Sequence, residues 1–117
     1  MRILIVGSRG RLGSDLIQVF SDLHETFGVD RPEIDITQSE QCLVAVKKFK
    51  PDVVINAAAF TRVDECELHA EEAFRVNGLG ARNLAQAASS SGALLVHYST
   101  DYVFDGNKSE PYVEEDE

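Results

Sequence analysis

Three glycines near the amino terminus, Gly7, Gly10 and Gly13, constrain the fold of this chain more than any other feature. They follow the apolar run RILIV and precede apolar residues at helical spacing, namely Leu12, Leu16, Val19, Phe20 and Leu23. A continuous apolar run that ends at a glycine is typical of a strand buried on both faces of a parallel sheet. Glycines at such a strand-to-helix junction let the backbone turn tightly and leave room for a pyrophosphate at the helix amino terminus. A tight turn that holds no ligand is the alternative, and this context disfavours it.

The rest of the chain continues the alternation of strand and helix. Further strands are predicted at ETFGVD, at Val53–Asn56 and at ALLVHYS. One helix carries Leu43, Val46 and Phe49, with Thr37 predicted as its cap and Glu40 as the capping-box partner, and a long helix is predicted over residues 69–91. The order β-α-β-α-β-α-β predicts an α/β fold with a doubly wound parallel sheet and right-handed crossovers. The expected strand order is 3-2-1-4, the first part of a Rossmann fold.

Composition narrows the classes of function. The net charge of −9 disfavours nucleic acid and anionic membranes as partners. No apolar run approaches the roughly 20 residues of a membrane span, and we expect a cytoplasmic protein. Cys42 and Cys66 have no metal-type spacing, and a structural disulfide is not expected in a reducing compartment. The acidic segment DECELHAEE fits the first turn of a helix better than a metal site, so no metal is predicted.

Residues near the second strand bear on cofactor choice. Asp30 closes that strand about 20 residues after the glycines, where an acid can hold a ribose 2′-hydroxyl and so favours NAD. Arg9 and Arg31 flank the same place and could accept a 2′-phosphate, which favours NADP, or could be solvated surface charges. Asp35 either reaches an adenine edge or caps the next helix. The sequence leaves these choices open.

Small residues follow the third strand, in the segment NAAAFT. Ala57, Ala58 and Ala59 leave room for a flat cofactor at the carboxyl edge of the sheet. Tight packing of the strand is the other explanation for the same residues.

Several motifs together resemble the extended short-chain dehydrogenase/reductases, and within them the dTDP-4-dehydrorhamnose reductases. They are VGSRGRLG, DIT, KPDVVINAAAFTRVDECE, VNGLGARNLAQAA and HYSTDYVFDG, and they cover nearly the whole chain. The segment STDYVFDG after a strand, with NAAAFTRVD before it, is far more specific than the glycines. The resemblance implies reduction of dTDP-4-dehydro-L-rhamnose to dTDP-L-rhamnose with NADPH or NADH.

The resemblance also implies roles for individual residues. Gly10, Arg11 and Leu12 would line the pyrophosphate, although Arg11 replaces a common glutamine. Asp30 would face the adenosine ribose, and Asp35 and Ile36 would flank the adenine. Ala59, Phe60 and Thr61 would pass beneath the cofactor, and Tyr98 would lie near it. Thr100 and Asp101 would face the substrate, with the Thr100 hydroxyl bonded to the keto oxygen.

One departure from the family is large. The family completes its chemistry with a Tyr-x-x-x-Lys pair, in which the ammonium lowers the pKa of the phenol from about 10. Four residues after Tyr98, Tyr102 and Tyr112 stand a tyrosine, a glycine and an aspartate, so this sequence has no such pair.

We therefore interpret residues 1–117 as an incomplete NAD(P)-binding Rossmann domain without its substrate domain, inactive alone and prone to dimerise or self-associate. Two alternatives remain. One is a non-catalytic subunit that resembles the regulatory β subunit of methionine adenosyltransferase, and the other is a related nucleotide-sugar epimerase or dehydratase.

Overall fold

The computed structural model describes residues 1–116 and contains a four-stranded parallel sheet flanked by helices. The strands are β1 (Arg2–Val6), β2 (Glu25–Val29), β3 (Val53–Asn56) and β4 (Leu94–His97). The helices are α1 (Arg11–Ser21), α2 (Ser39–Phe49), α3 (Val63–Leu68), α4 (Ala70–Phe74) and α5 (Ala81–Ser91), with a π-helix (Arg75–Gly80) between α4 and α5 and a 3₁₀ turn (Asp101–Val103) after β4. The predicted class, a doubly wound parallel α/β sheet, is confirmed.

The predicted strand order is wrong. The observed order is β2-β1-β3-β4, with β1 paired to both β2 and β3 in parallel, instead of 3-2-1-4. Helices α1 and α2 pack on opposite faces of the sheet. When two successive right-handed crossovers have their helices on opposite faces of the sheet, the second adds its strand in the opposite direction to the first. Because α1 and α2 lie on opposite faces, β3 is added on the other side of β1 from β2. The direction in which strands are added therefore reverses after β2, as in the doubly wound order 2-1-3-4-5, and not after β3 as in the predicted order.

Each face of the sheet has its own core, as the alternation of side chains along a strand requires. Leu4, Val6 and Val54 face α2 and α5, where the buried partners are Cys42, Val46, Leu84, Ala87 and Ala88. Ile3, Ile5 and Ile55 point to the other face and pack with Leu16, Ile17 and Phe20 of α1. The strands are thus apolar on both faces, as the continuous run RILIV predicted.

Two local predictions need correction. The predicted long helix over residues 69–91 is three segments, because the π-helix separates α4 from α5. The cap of α2 is Gln38 and not Thr37, and it makes no side-chain capping bond. Thr37 instead donates its hydroxyl hydrogen to the Asp35 carboxylate at 2.8 Å and its N–H to the same oxygen at 2.9 Å. These two bonds turn Thr37 back toward Asp35, and the helix begins only at Ser39.

Across residues 1–116, no helix is long and apolar enough to cross a membrane. Both cysteines are free thiols, with Cys42 buried and Cys66 partly buried.

Candidate functional site

The carboxyl ends of β1 and β3 form the point at which the strand order reverses. Chain connections leave these two neighbouring strands toward opposite faces, which opens a crevice between them. The Gly7 N–H still bonds to the Val29 carbonyl oxygen at 2.9 Å, and the Ala57 N–H bonds to the Val6 carbonyl oxygen at 2.9 Å. The loops that follow β1 and β3 are therefore held by the sheet up to the edge of the crevice.

The three glycines of the first loop have different physical roles. Gly7 has a φ of +82°, and a Cβ there would lie 2.6 Å from the Ala58 nitrogen. A Cβ on Gly13 would lie 2.1 Å from the Gly7 carbonyl oxygen, so helix α1 can pack on the loop only if this residue is glycine. Gly10 has an ordinary extended conformation, and its Cβ would meet only the Gly7 oxygen, at 3.3 Å. The fold requires Gly7 and Gly13, whereas the bare backbone at Gly10 leaves space in front of the loop.

Gly10 is also the residue before helix α1. It caps the helix without a side-chain hydrogen bond, while its carbonyl oxygen accepts from the Ser14 N–H at 2.9 Å. The first-turn N–H groups of a helix have no intrahelical acceptor, and the helix dipole adds partial positive charge there. Because no side chain closes this end, an anion has direct access to it.

Asp30 joins the glycine loop to the loop after β2. One carboxylate oxygen accepts from the Arg9 N–H at 2.9 Å, and the other accepts from the Arg31 N–H at 2.8 Å. The Arg9 guanidinium donates to the Arg31 carbonyl oxygen at 2.7 Å and pairs with Glu33. The pKa of the Glu33 carboxyl lies below its ordinary value, because the backbone N–H of Glu33 and the Arg9 side chain both donate hydrogen bonds to it. Acids and arginines thus meet at one end of the site, as their positions after β1 and β2 indicated.

The loop before α2 carries Asp35 and Ile36. Asp35 is partly buried and accepts hydrogen bonds from Thr37. Its carboxylate lies 3.6 Å from the Arg31 guanidinium. Ile36 is buried against Gly80, and its carbonyl oxygen accepts from Asn83 Nδ2 at 2.8 Å. This loop is therefore fixed to the helical segment that follows the π-helix.

Two asparagines shape the loop after β3. Asn56 is only 2% exposed, and its Oδ1 accepts from the Ala58 N–H at 3.1 Å. Its Nδ2 lies 3.0 Å from His97 Nδ1 at the end of β4, so this contact joins the ends of the two strands. Farther along the loop, the carboxamide of Asn77 bonds to both the N–H and the carbonyl oxygen of Phe60.

These loops border a half-open cavity of about 430 Å³. It is lined by residues of both loop sets and of the π-helix region, namely Val6, Gly7, Arg9, Gly10, Asp30, Arg31, Ile34, Ile36, Ala57, Ala58, Ala59, Phe60, Glu72 and Val76. Ten residues that the sequence nominated are among them: Gly7, Arg9, Gly10, Asp30, Arg31, Ile36, Ala57, Ala58, Ala59 and Phe60. The other nominated residues do not line it, and these are Arg11, Leu12, Gly13, Asp35, Thr61, Tyr98, Thr100 and Asp101.

The sequence analysis did not nominate four lining residues, Val6, Ile34, Glu72 and Val76. The spacing of four between Glu72 and Val76 placed them on one helix face, but nothing in the sequence tied that face to the glycine loop. Within the part of the chain that the structure describes, no group of three or more His, Cys, Asp or Glu side chains is placed to hold a metal ion.

Thr100 lies just after β4 at the same edge of the sheet and caps the 3₁₀ turn. Its hydroxyl oxygen accepts from the Tyr102 N–H at 3.2 Å and lies 3.3 Å from an Asp101 carboxylate oxygen. The hydroxyl thus has a local structural role, and its contact with a substrate stays a prediction.

A parallel doubly wound sheet with a bare glycine loop at its switch point defines an α/β chain of the dinucleotide-binding type. The family model described as "RmlD substrate binding domain" matches residues 1–117. The chain belongs to this family.

Several curated relatives with similar sequences are named as reductases. The chain is 44% identical to a dTDP-4-dehydrorhamnose reductase of Aggregatibacter actinomycetemcomitans over 98% of its length and 40% of the relative's. It is 45% identical to the enzyme of that name from Burkholderia thailandensis, over 99% of its own length and 39% of the relative's. A dTDP-4-keto-6-deoxy-D-glucose reductase of Streptomyces niveus is 40% identical over 97% of this chain and 40% of the relative. The chain thus spans about two fifths of the length of these relatives.

Among solved structures, the chain is similar to dTDP-4-dehydrorhamnose reductases and, less so, to an epimerase. A dTDP-4-dehydrorhamnose reductase from Clostridium acetobutylicum superposes with a TM-score of 0.93 at 43% identity, covering 100% of this chain and 42% of that one. The Bacillus anthracis enzyme, solved in complex with NADP, has a TM-score of 0.87 at 37% identity, with coverage of 93% and 39%. A UDP-glucose 4-epimerase of Thermus thermophilus in complex with NAD is less similar, with a TM-score of 0.75 at 25% identity and coverage of 80% and 35%.

Proposed function

We propose that this chain is the cofactor-binding part of an NAD(P)H-dependent reductase that converts dTDP-4-dehydro-L-rhamnose to dTDP-L-rhamnose. The observation that carries the proposal is the bare backbone at Gly10, which the fold does not require and which faces the cavity before helix α1. The greater similarity to the reductases than to the epimerase supports a reductase over an epimerase or dehydratase.

In this proposal the dinucleotide lies along the cavity. The first-turn N–H groups of α1, from Arg11 to Gly13, bind the pyrophosphate through the backbone, which agrees with the position of these side chains outside the lining. Asp30 lies beside the ribose, where its two oxygens already hold the Arg9 and Arg31 N–H groups. Both arginine side chains lie close enough to meet a 2′-phosphate, so NADPH and NADH are both candidates.

The remaining proposed roles concern the reacting end of the cofactor. The bound cofactor supplies a hydride to the keto carbon of the sugar. Thr100 lies at the carboxyl edge of the sheet, where ligands of this fold bind, and its hydroxyl group is proposed to bond to the keto oxygen. Asp101, Tyr98 and Thr61 are proposed to lie around the same end.

The wider setting of the reaction is also a proposal. We place it in the cytoplasm, with a nucleotide sugar as substrate and without nucleic acid or membrane partners, as the net charge of −9 favours. Self-association of the chain is part of the same proposal.

Gly10→Val in the complete protein tests the cofactor site. The branched side chain projects into the space in front of α1 and should weaken NADPH binding by tenfold or more, whereas the melting temperature should change little because the Cβ meets only one atom. Titration of NADPH fluorescence measures the first quantity and thermal unfolding the second. The control is Gly13→Ala, whose Cβ clashes with the Gly7 oxygen and which should lower stability outright. Unchanged NADPH affinity in Gly10→Val would refute the proposed site.

The substrate assignment has its own test. The complete protein should oxidise NADPH when dTDP-4-dehydro-L-rhamnose is added, and Thr100→Val should lower kcat with little change in melting temperature. Because a relative is named for dTDP-4-keto-6-deoxy-D-glucose, that sugar is the comparison substrate. A faster reaction with the comparison sugar would replace the substrate and keep the reductase, and binding without any reduction would favour the regulatory alternative.

A further inference from the structure

The Arg9 guanidinium lies at the end of the cavity where the loops after β1 and β2 meet. One of its terminal nitrogens donates to the Arg31 carbonyl oxygen at 2.7 Å, and the other donates to the Glu33 carboxylate. Asp30 holds the backbone at the same place, since its two oxygens accept from the Arg9 and Arg31 N–H groups. Both the backbone and the side chain of Arg9 are therefore fixed in this loop.

Glu33 approaches Arg9 from outside the cavity. Arg9, Asp30 and Arg31 line the cavity, whereas Glu33 lines a separate hollow of about 520 Å³ between β2 and α2. Hydrogen bonds from its own backbone N–H and from Arg9 hold the pKa of the Glu33 carboxyl below its ordinary value, so this group is ionised at neutral pH. A ligand in the cavity therefore meets Arg9 directly and Glu33 only through Arg9.

The two arginines differ in how closely an acid holds them. Arg31 lies 3.6 Å from Asp35, whose carboxylate already accepts two bonds from Thr37. Arg9, in contrast, donates directly to the Glu33 carboxylate. Arg9 is thus the guanidinium whose charge and N–H groups are the more strongly engaged before any ligand binds.

A phosphate and a carboxylate compete for the same guanidinium. The guanidinium attracts a phosphate through its charge and its paired N–H groups. A carboxylate in contact with that guanidinium occupies some of those N–H groups and repels the phosphate. NADPH carries a 2′-phosphate where NADH has a hydroxyl, so this competition affects only one of the two cofactors.

We propose that Glu33 is a positioning residue for the Arg9 guanidinium and thereby lowers the affinity for NADPH relative to NADH. This inference rests on the proposed function, which leaves the choice between the two cofactors open. The 2′-phosphate of NADPH reaches Arg9 only by displacing Glu33 or by binding beside it, and either arrangement opposes binding. NADH meets no such opposition, because its ribose hydroxyl carries no charge.

The test is Glu33→Gln in the complete protein, with fluorescence titration of NADPH and NADH. Glutamine keeps the size of the side chain and removes its charge. We expect the dissociation constant of NADPH to fall about three- to fivefold at low salt, in keeping with the strength of an exposed ion pair, while that of NADH stays within about twofold. The difference between parent and variant should shrink as the salt concentration rises. A merely structural role of Glu33 would change both dissociation constants in parallel.

Two adenosine fragments place the effect on the phosphate itself. Adenosine 2′,5′-bisphosphate carries the additional phosphate of NADPH, and AMP lacks it. Calorimetric titration should show tighter binding of the bisphosphate to Glu33→Gln than to the parent, with AMP binding equally to both. A gain that is equal for the two fragments would overturn the inference.

Glu25→Gln is the matched control. Glu25 is also an exposed acid paired with an arginine, since its carboxylate lies 2.7 Å from the Arg2 guanidinium. It stands at the amino end of β2 and does not line the cavity. Its neutralisation should leave both dissociation constants unchanged. An equal gain in NADPH affinity in Glu25→Gln and Glu33→Gln would trace the effect to the net charge of the protein and overturn the inference.

The remaining outcomes separate the inference from the proposed function. A parent protein that binds neither NADPH nor NADH refutes the proposed function, and the inference fails with it. If the parent binds either cofactor, unchanged or weaker NADPH binding in Glu33→Gln overturns the inference alone. Weaker binding would mean that Glu33 holds Arg9 ready for the phosphate. Should Glu33→Gln not fold, Glu33→Ala carries the same test with the same expected direction.

Discussion

Asp35 shows how one acidic side chain organises the loop before α2. Burial raises the pKa of its carboxyl, but hydrogen bonds from the Thr37 hydroxyl and N–H, with help from the Arg31 charge, lower it more, so the pKa lies below its ordinary value. A lowered folded-state pKa gives stability that is present above the unfolded pKa of about 3.9 and is lost as the pH falls through the folded pKa. Asp35 therefore stabilises the loop at neutral pH and ceases to do so in acid.

Asp35→Asn should isolate this charge. The amide oxygen can still accept from Thr37, so the turn persists, but the charged bond is lost. We expect a loss of less than about 1 kcal/mol at pH 7, since solvent screens the partly exposed group. This difference from the parent should shrink toward pH 3. Urea unfolding at both pH values measures it, and a difference of equal size at the two values would contradict the assignment.

The two thiols should differ sharply in reactivity. Burial raises the pKa of the Cys42 thiol to about 11, with a smaller contribution from Asp35, and its side chain is inaccessible. Cys66 is only partly buried. Iodoacetamide at pH 8 should therefore label Cys66 and spare Cys42 in the folded protein, as peptide mapping by mass spectrometry would show. Equal labelling of both residues would mean that the α2 core is open.

At the scale of elements, the contact between Gly80 and Ile36 sets how closely the helical segment approaches the loop before α2. A Cβ on Gly80 would lie 2.6 Å from Ile36 Cδ1 and 2.7 Å from its Cγ1. The neighbouring bond from Asn83 to the Ile36 oxygen fixes the same approach. This close packing, and not a helix end, explains a glycine inside a helical stretch.

Gly80→Ala should therefore destabilise the protein, although glycine-to-alanine changes in helix interiors usually stabilise by about 1 kcal/mol. Combining it with Ile36→Ala, which removes the clashing atoms, should cost less than the sum of the two single changes. Urea unfolding of the four proteins of this double-mutant cycle gives the coupling. Strict additivity would show that the two side chains do not compete for space.

At the scale of the whole molecule, the sheet is unequally covered. Helices α2 and α5 pack on one face, while α1 is the main cover of the other. Strand β4 pairs only with β3 among residues 1–116, and its Leu94 is 62% exposed. An open apolar edge of this kind favours pairing with another chain.

The isolated chain of 117 residues should consequently self-associate, and Leu94→Lys should reduce that association. Sedimentation velocity over a range of protein concentrations measures both. A monomeric parent at all concentrations, or equal association of the two proteins, would contradict the role of this edge.

The same isolated chain should catalyse no reduction of dTDP-4-dehydro-L-rhamnose. Its sequence offers no Tyr-x-x-x-Lys pair as proton donor, and general acid–base catalysis typically contributes about 10²–10⁴-fold. The absorbance of NADPH in the presence of the sugar is the measurement. Steady, substrate-dependent oxidation that survives repurification would show that the catalytic residues lie elsewhere in this chain.

The sequence alone determined the four strands, helices α1 and α2 and the position of the glycine loop, but neither α3 nor the π-helix. Apolar runs and helical spacing are local patterns, and a glycine triplet between a strand and a helix has few structural solutions. The same logic located ten lining residues, because they follow strands whose carboxyl ends share one edge of the sheet. Family resemblance added the reductase interpretation, which the relatives support.

Tertiary structure alone decided the strand order and the partners of the loops. The order depends on which face each helix covers, and hydrophobic periodicity shows that a helix has an apolar face without showing which side of the sheet it meets. Glu72, Val76 and Asn77 reached the site only because the helical segment around the π-helix packs beside a loop that ends at residue 62, before α3. Thr37 is not the helix cap because it lies in a turn with Asp35 and α2 begins only at Ser39. Such contacts depend on how separate elements pack, and local sequence patterns carry no information about that packing. They could therefore be identified only from the folded structure.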